Sequence, residues 1–176
     1  MSIIFGPARQ NGLVVANLDE AVQRWVDKLG AGPFFVVRHL PLDYFTYRGR
    51  ASSPDISVAL GNLGDLQIEL IEQHNDEPSP YRHFLTETGP GLHHISAWTA
   101  TYDNDLARLR DRGREPDCEG KIAGLSRFAY FESDATDGSA FEVSDLGTEH
   151  QFGAFHDLIR EASIGWDGSD PVRSLI

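Results

Sequence analysis

The sequence predicts an α+β fold of two modules built to the same plan, followed by a helical extension. Three observations predict it. The order strand, helix, strands occurs twice along the chain. Each round closes on a strand that carries a carboxylate, LQIELIE in the first and AFEVSDL in the second. A stretch holding Pro78, Pro80, Gly89, Pro90 and Gly91 separates the two rounds. Letter-by-letter identity between the halves is low, so the repeat rests on element order. The expected organisation is a domain over residues 1–147, with modules at about 8–76 and 90–147 and a linker at 77–89. A C-terminal helix and tail over 148–176 follow.

At 176 residues the chain is long enough to bury a core without disulfides or structural metals. Its formal charge of −12 disfavours phosphate backbones and anionic lipid surfaces, so neither nucleic acid nor membrane is an expected partner. Cys118 is the single cysteine, which excludes an internal disulfide and a cysteine zinc site and fits a reducing compartment. The N-terminus MSIIFGPARQNG has no long apolar segment, and no apolar run approaches the roughly 18–20 residues needed to span a bilayer. A cytoplasmic protein is expected.

In the first half, Gly12 to Ala16 reads as a buried strand. Asn17 offers an N-cap, and Leu18, Ala21, Val22, Trp25, Val26 and Leu29 form one apolar stripe before Gly30 and Gly32-Pro33 end the helix. Phe34 to Leu40, Tyr44 to Tyr47, Ile56 to Leu60 and Leu66 to Glu72 are strand candidates. A short helix is predicted at Tyr81 to Glu87. The second half repeats the order: strand at Leu92 to Thr99, helix at Asn104 to Arg112 ended by Gly113, strands at Ser126 to Glu132 and Ala140 to Leu146. Beyond His150, Phe152, Phe155, Leu158 and Ile159 suggest an amphipathic helix packed on the domain, and GSDPVRSLI reads as a loose tail.

Strand alternation sorts the polar residues. Leu66, Ile68 and Leu70 would face a covering helix, leaving Gln67, Glu69 and Ile71 on the concave side. Phe141 and Val143 would pack on a helix, leaving Ala140, Glu142 and Ser144 opposite. His94, Ser96 and Trp98 share one face, so His93 and His94 are expected on opposite faces. Singly, each of these polar residues is better explained as solvated or as hydrogen-bonded filler. Only in combination, with each half giving its first and last strand to one cup, do Gln10, Glu69, His94 and Glu142 become a candidate site.

The stretches QNGLVVANLDEAVQRWVDKLGAGPF, LQIELIEQ, GPGLHHISAW and SAFEVSDLG resemble the vicinal oxygen chelate superfamily, which includes glyoxalases, bleomycin-resistance proteins and methylmalonyl-CoA epimerases. The resemblance spans roughly residues 8 to 147 and implies two βαβββ modules forming a cupped mixed sheet. It implies a metal ligand from the first and last strand of each half: Gln10, Glu69, His94 and Glu142. Three oxygen donors and one imidazole suit one divalent ion (Zn, Ni, Co, Mn or Mg) with open positions for a chelating substrate.

The implied activity is a metal-dependent lyase or isomerase, acting on a small carbonyl or carboxylate compound through a metal-bound enolate or enediolate. Glu142 would be ligand and general base, with Glu69 assisting. Val14 and Gln73 stand where glyoxalase I has its glutathione-binding residues, and Ser57 falls near the position of the epimerases' extra glutamate. Only one histidine aligns, against the two that extradiol dioxygenases need. Tyr44, Tyr47, Trp98, Phe128 and Tyr130 are candidate substrate-binding residues, and Arg48, Arg50, Lys121 and Arg127 are candidates to hold a carboxylate. Residues 74–83 read as a loop over the cup, with an exposed connection as the plainer reading. A homodimer is expected. The alternative function is metal-free sequestration of a small molecule, as in bleomycin resistance.

Overall fold

The structure is a computed structural model and describes residues 3–4, 6–132, 139–146 and 151–174. The first module runs β1 (Ala8–Val14), α1 (Leu18–Leu29), β2 (Phe34–Val37), β3 (Leu42–Tyr47), β4 (Arg50–Ala51), β5 (Ile56–Leu63) and β6 (Leu66–Gln73). Helix α2 (Pro80–Thr88) connects it to β7 (Gly91–Thr99), α3 (Tyr102–Arg110), β8 (Cys118–Ile122), β9 (Arg127–Phe131) and β10 (Ala140–Asp145). Helix α4 (Gln151–Ser163) and β11 (Val172–Ser174) follow.

Among the described residues, eleven strands join one mixed sheet in the order β11-β2-β5-β6-β1-β7-β10-β9-β8-β3-β4. Its symmetry is visible in the pairing. Each module's first strand lies parallel to its last, β1 to β6 and β7 to β10, and the modules meet where β1 and β7 run antiparallel. The four central strands are therefore the first and last strands of both modules. The β3–β4 hairpin departs from this symmetry: it leaves the first module and pairs with β8 of the second.

Helices α1 and α3 cover the convex face. On α1, Leu18, Ala21 and Val22 pack against Phe34, Ala59, Ile68 and Leu70. Asn17 caps the helix by accepting from the Glu20 N–H, and left-handed Gly30 ends it, as the sequence predicts. On α3, Tyr102, Leu106 and Leu109 pack against Ala129, Phe131 and Val143. On the concave face, α4 seats Ile159 against Phe35 and Leu60. Alternation along β6 and β10 thus divides as expected: Ile68, Leu70 and Val143 go to the helices, leaving Glu69 and Glu142 on the inner face.

Three expectations are corrected. The C-terminal tail is not loose over its described part, because β11 adds in parallel to the edge strand β2 and Phe34 donates its N–H to the Pro171 carbonyl. Leu158 is exposed and falls outside the packed stripe of α4, whose inner face is completed by His156. Strand β8 was not anticipated: CEGKI lacks an apolar alternation, yet it pairs with β9 and with the visiting β3.

Candidate functional site

The register lays two rows of side chains across the concave face. In one row Glu69 and His94 flank Gly12, each as its direct cross-strand neighbour on β6 and β7. In the next row Gln67, Gln10, Ser96, Glu142 and Tyr130 stand side by side on β6, β1, β7, β10 and β9. Residues two apart on a strand share a face, so the two rows stack and four strands bring Gln10, Glu69, His94 and Glu142 to one region. Glycine at position 12 permits this. A Cβ there would lie 1.9 Å from Cε1 of the His94 ring, so only a residue without a side chain leaves room for the imidazole.

The ligand atoms of Glu69, His94 and Glu142 all lie within 4.8 Å of one another. Nε2 of His94 is 3.1 Å from Oε2 of Glu142 and 3.4 Å from Oε2 of Glu69. His94 is fully buried and Glu142 nearly so, and among the described residues neither His94 Nε2 nor Glu142 Oε2 has a hydrogen-bond partner of good geometry. The other carboxylate oxygen of Glu142 accepts from the Ser144 hydroxyl at 2.9 Å. Gln10 donates its amide N–H to Gln67 at 2.8 Å, which leaves its own carbonyl oxygen free as a donor atom to a cation. Two carboxylates, one imidazole and a nearby amide oxygen, with two buried polar atoms left without a good partner, fit a divalent ion.

The electrostatics follow from burial and charge. Burial pushes the Glu69 carboxyl up, against the pull of His94. Burial alone would depress His94, but Glu142 and Glu69 outweigh it and raise the ring to about 9. His93, buried beside His94, is driven down to about 3 and stays neutral.

The two histidines do not point to opposite faces. Gly12 pairs with His94 but Leu13 pairs with Leu92, so His93 sits in a β-bulge that swings its ring to the inner side. There it packs among Tyr81, Phe84 and Tyr130, and its Nδ1 lies 3.0 Å from Nδ1 of His94.

A cavity opens beside this cluster, with about 680 Å³ of free space when its mouth is included. Gln10, Glu69 and Glu142 line its polar end, and Phe128 and Tyr130 line its wall. Aliphatic side chains of β5 form the opposite wall, α2 contributes Tyr81, and α4 contributes Phe152, Phe155 and His156 as a cover. Of the five aromatic candidates, the structure brings Phe128 and Tyr130 to the cavity and not the other three. Tyr44 is half-exposed on the outer face next to Lys121, its cross-strand partner. Tyr47 is buried in the core with its hydroxyl donating to Glu132 at 2.8 Å. Trp98 lies under α4, stacked on His156. Arg48, Lys121 and Arg127 are occupied by Glu132, by Asp43 and by Asp103 with Asp145, and Arg50 is exposed on β4.

Other candidate residues have structural work. Residues 74–83 form a pinned turn and not a lid: the Gln73 amide donates to the Asn75 and Glu77 carbonyls, and Ser79 caps α2. Ser57 alternates with the cavity-lining Ile56 and Val58, and its hydroxyl meets His74 at 2.7 Å. Cys118 is buried, which pushes its thiol well up. The residues the sequence reading missed are His93, Tyr81, Phe152 as a cavity wall, and His156. Only His156 had a usable signal, standing four residues after Phe152 and so on the same helix face.

Paired modules meet at β1 and β7, with a carboxylate–imidazole cluster across the seam of one mixed sheet. A sequence model of the Glyoxalase/Bleomycin resistance protein/Dioxygenase superfamily matches residues 9–131, and the chain belongs to that superfamily. Solved structures share the fold. Methylmalonyl-CoA epimerase from Mycobacterium tuberculosis aligns at 20% identity and a TM-score of 0.57, over 88% of this chain and 96% of that one. A hypothetical protein from Bacillus halodurans C-125 aligns at 18% identity and a TM-score of 0.59, over 81% and 96%. A variant of Streptomyces coelicolor methylmalonyl-CoA epimerase in complex with 2-nitronate-propionyl-CoA aligns at 20% identity and a TM-score of 0.53, over 78% and 95%. No curated protein matches the sequence. Among the described residues, no helix is long and apolar enough to cross a membrane.

Proposed function

We propose that this chain is a metal-dependent enzyme of the lyase or isomerase type, acting on a small carbonyl compound by moving a proton next to the carbonyl. The observation that carries the reading is the convergence of Glu69, His94 and Glu142 within 4.8 Å, on strands distant in sequence, at the polar end of a cavity. Glu69, His94 and Glu142, with the Gln10 amide oxygen, would hold one divalent ion of the Zn, Ni, Co, Mn or Mg group. When bound, such an ion supplies Lewis acidity that stabilises negative charge on a substrate oxygen.

The chain's own groups would do the rest. His94 must offer the Nε2 lone pair, so its proton sits on Nδ1 and is donated to Nδ1 of His93, which burial keeps neutral. Ser144 holds one oxygen of Glu142 and so orients the carboxylate. Glu142 would act as the general base, and Glu69, whose carboxyl burial pushes up against the pull of His94, would assist in moving the proton. The apolar walls keep water from competing for that proton.

A second reading is favoured by one observation. The 3.1 and 3.4 Å contacts of His94 Nε2 also describe an imidazolium clamped between two carboxylates, which needs no ion. The chain would then bind a small molecule without transforming it, as bleomycin-resistance proteins do. Titration calorimetry of the chelator-treated protein with Zn²⁺, Ni²⁺, Co²⁺ and Mn²⁺ separates the two. Enzyme function predicts about one ion per chain, with binding lost in His94→Ala and Glu142→Ala. Unchanged binding in those variants, or none in the parent, leaves the metal-free reading. A cytoplasmic homodimer remains part of the proposal, checked by light scattering and cell fractionation.

A further inference from the structure

The two halves of α4 are seated differently. The C-terminal half is anchored. Ile159 is fully buried against Phe35 and Leu60, and Ala162 packs on the same cluster. Beyond it the Trp166 ring lies on Gly32, where a Cβ would fall 2.8 Å away, and β11 adds to the edge strand β2. Among the described residues one ion pair ties α4 to the strands' turns, Arg160 to Asp65 at 3.8 Å, and it too belongs to this half. The N-terminal half lies over the cavity and over Trp98, through Phe152 and His156. Phe155 stands at the boundary, touching both the cavity and the Ile159 cluster.

The seat of the N-terminal half is dry and unsatisfied. His156 is 3% exposed, its ring stacked on Trp98 at 4.2 Å with Phe152 edge-on at 4.1 Å. Among the described residues neither His156 ring nitrogen nor Trp98 Nε1 has a hydrogen-bond partner. All three atoms are fully buried, so no water-sized space reaches them. Each costs free energy while α4 is seated, and solvent would return it if the contact opened.

We infer that the N-terminal half of α4 is a cover that lifts off Trp98 to open the cup, hinged at Ile159. The dry contact is a weak latch, and the Ile159 cluster with β11 keeps the lifted segment tethered. This stands apart from the ion, because an enzyme and a metal-free binder both have to load the same cup.

The latch responds to acid. Burial drives the seated His156 ring down from 6.5 to about 3, so it is neutral when closed and free to take a proton when lifted. A depressed histidine weakens the closed state as pH falls below 6.5. Between pH 7.5 and 5.5 the lifted population should grow about tenfold. The charged groups around the ring are Arg9, Asp65, Asp157 and Arg160 on the surface side, and Glu69 and Glu142 across the cavity.

Amide hydrogen exchange on the full chain tests the cover. A lifted half-helix this short does not hold its hydrogen bonds in water. The amides of Phe155, His156 and Asp157 should be at least tenfold less protected than those of Arg160 to Ala162 and of β7. Their protection factors should fall about tenfold more from pH 7.5 to 5.5, while β7 stays protected. His156→Leu fills the seat without polar atoms, so it should raise protection at least tenfold and remove the pH response. Uptake of prodan, a neutral apolar ketone dye, should quicken about tenfold over the same pH change in the parent and not in His156→Leu. Phe155 to Asp157 exchanging only together with β7, a pH response that survives in His156→Leu, or dye uptake indifferent to both would overturn the inference. The parent's exchange pattern decides the matter even if the variant fails to fold.

Discussion

The imidazole of His94 occupies the space that a side chain on Gly12 would need. The two residues are direct cross-strand neighbours on β1 and β7, and a Cβ at Gly12 would fall 1.9 Å from Cε1 and 2.3 Å from Nε2. The obstacle is a fully buried ring held between two carboxylates, which cannot swing aside cheaply.

Gly12→Ala should therefore lose about 1–3 kcal/mol of stability by overpacking and move the His94 nitrogen away from Glu142. Chemical denaturation should report the first effect, and metal titration a loss of affinity of at least tenfold. Wild-type affinity in a folded Gly12→Ala variant would separate His94 from the ion.

His93 supports His94 through the contact between their Nδ1 atoms at 3.0 Å. His93→Phe keeps the ring packing among Tyr81, Phe84 and Tyr130 but removes the acceptor. Metal affinity should fall about 10- to 100-fold, the usual cost of losing a hydrogen bond behind a ligand. His93→Gln should recover part of it. Calorimetry on both variants is the check.

The pH dependence has a defined sign. His94 is raised from 6.5 to about 9 by Glu142 and Glu69 working against burial. Its contribution to the stability of the metal-free protein is full below pH 6.5 and is lost as pH rises through 9. The melting temperature of the metal-free protein should fall over that window, and less so in Glu142→Gln. Metal and proton compete for the same nitrogen, so ion affinity should rise with pH across it, by up to about tenfold per unit. A metal affinity independent of pH between 6.5 and 8.5 would remove His94 from the ligand set.

Ile159 anchors α4. It is fully buried against Phe35 and Leu60, the contact that holds the cover over the cavity. Ile159→Ala should cost about 2–5 kcal/mol and expose the inner face of α4. Proteolysis within α4 should speed up while the cluster on the central strands still binds its ion.

Much of this was legible in the chain. The alternation in LQIELIE and AFEVSDL assigned Glu69 and Glu142 to the inner face, because a half-covered sheet forces period two on its strands. Asn17 and Gly30 marked both ends of α1 by cap chemistry. What alternation could not reveal was where it breaks. The bulge at His93 depends on register against β1, a tertiary property with no letter of its own. Strand β8 hid because Gly120 is there to admit the Phe128 ring, which would lie 2.3 Å from a Cβ. Tyr44, Tyr47 and Trp98 were grouped with Phe128 and Tyr130 by residue type, although type does not report which side of a sheet a ring occupies. His156 is hidden by its residue type: helical spacing, four after Phe152 and three before Ile159, puts it on the buried face, but a polar letter does not count toward an apolar stripe.

The β3–β4 hairpin has a consequence for how this chain reaches its native state. Because the hairpin is made early in the chain and zips onto β8, most of the polypeptide must be present before that edge can close. Such non-local pairing slows folding into the millisecond-to-second regime, and a nascent first module would expose an open strand to its neighbours on the ribosome. Severed halves mixed in a tube should be poor folders apart and complement each other only through this exchanged ribbon and the β1–β7 seam.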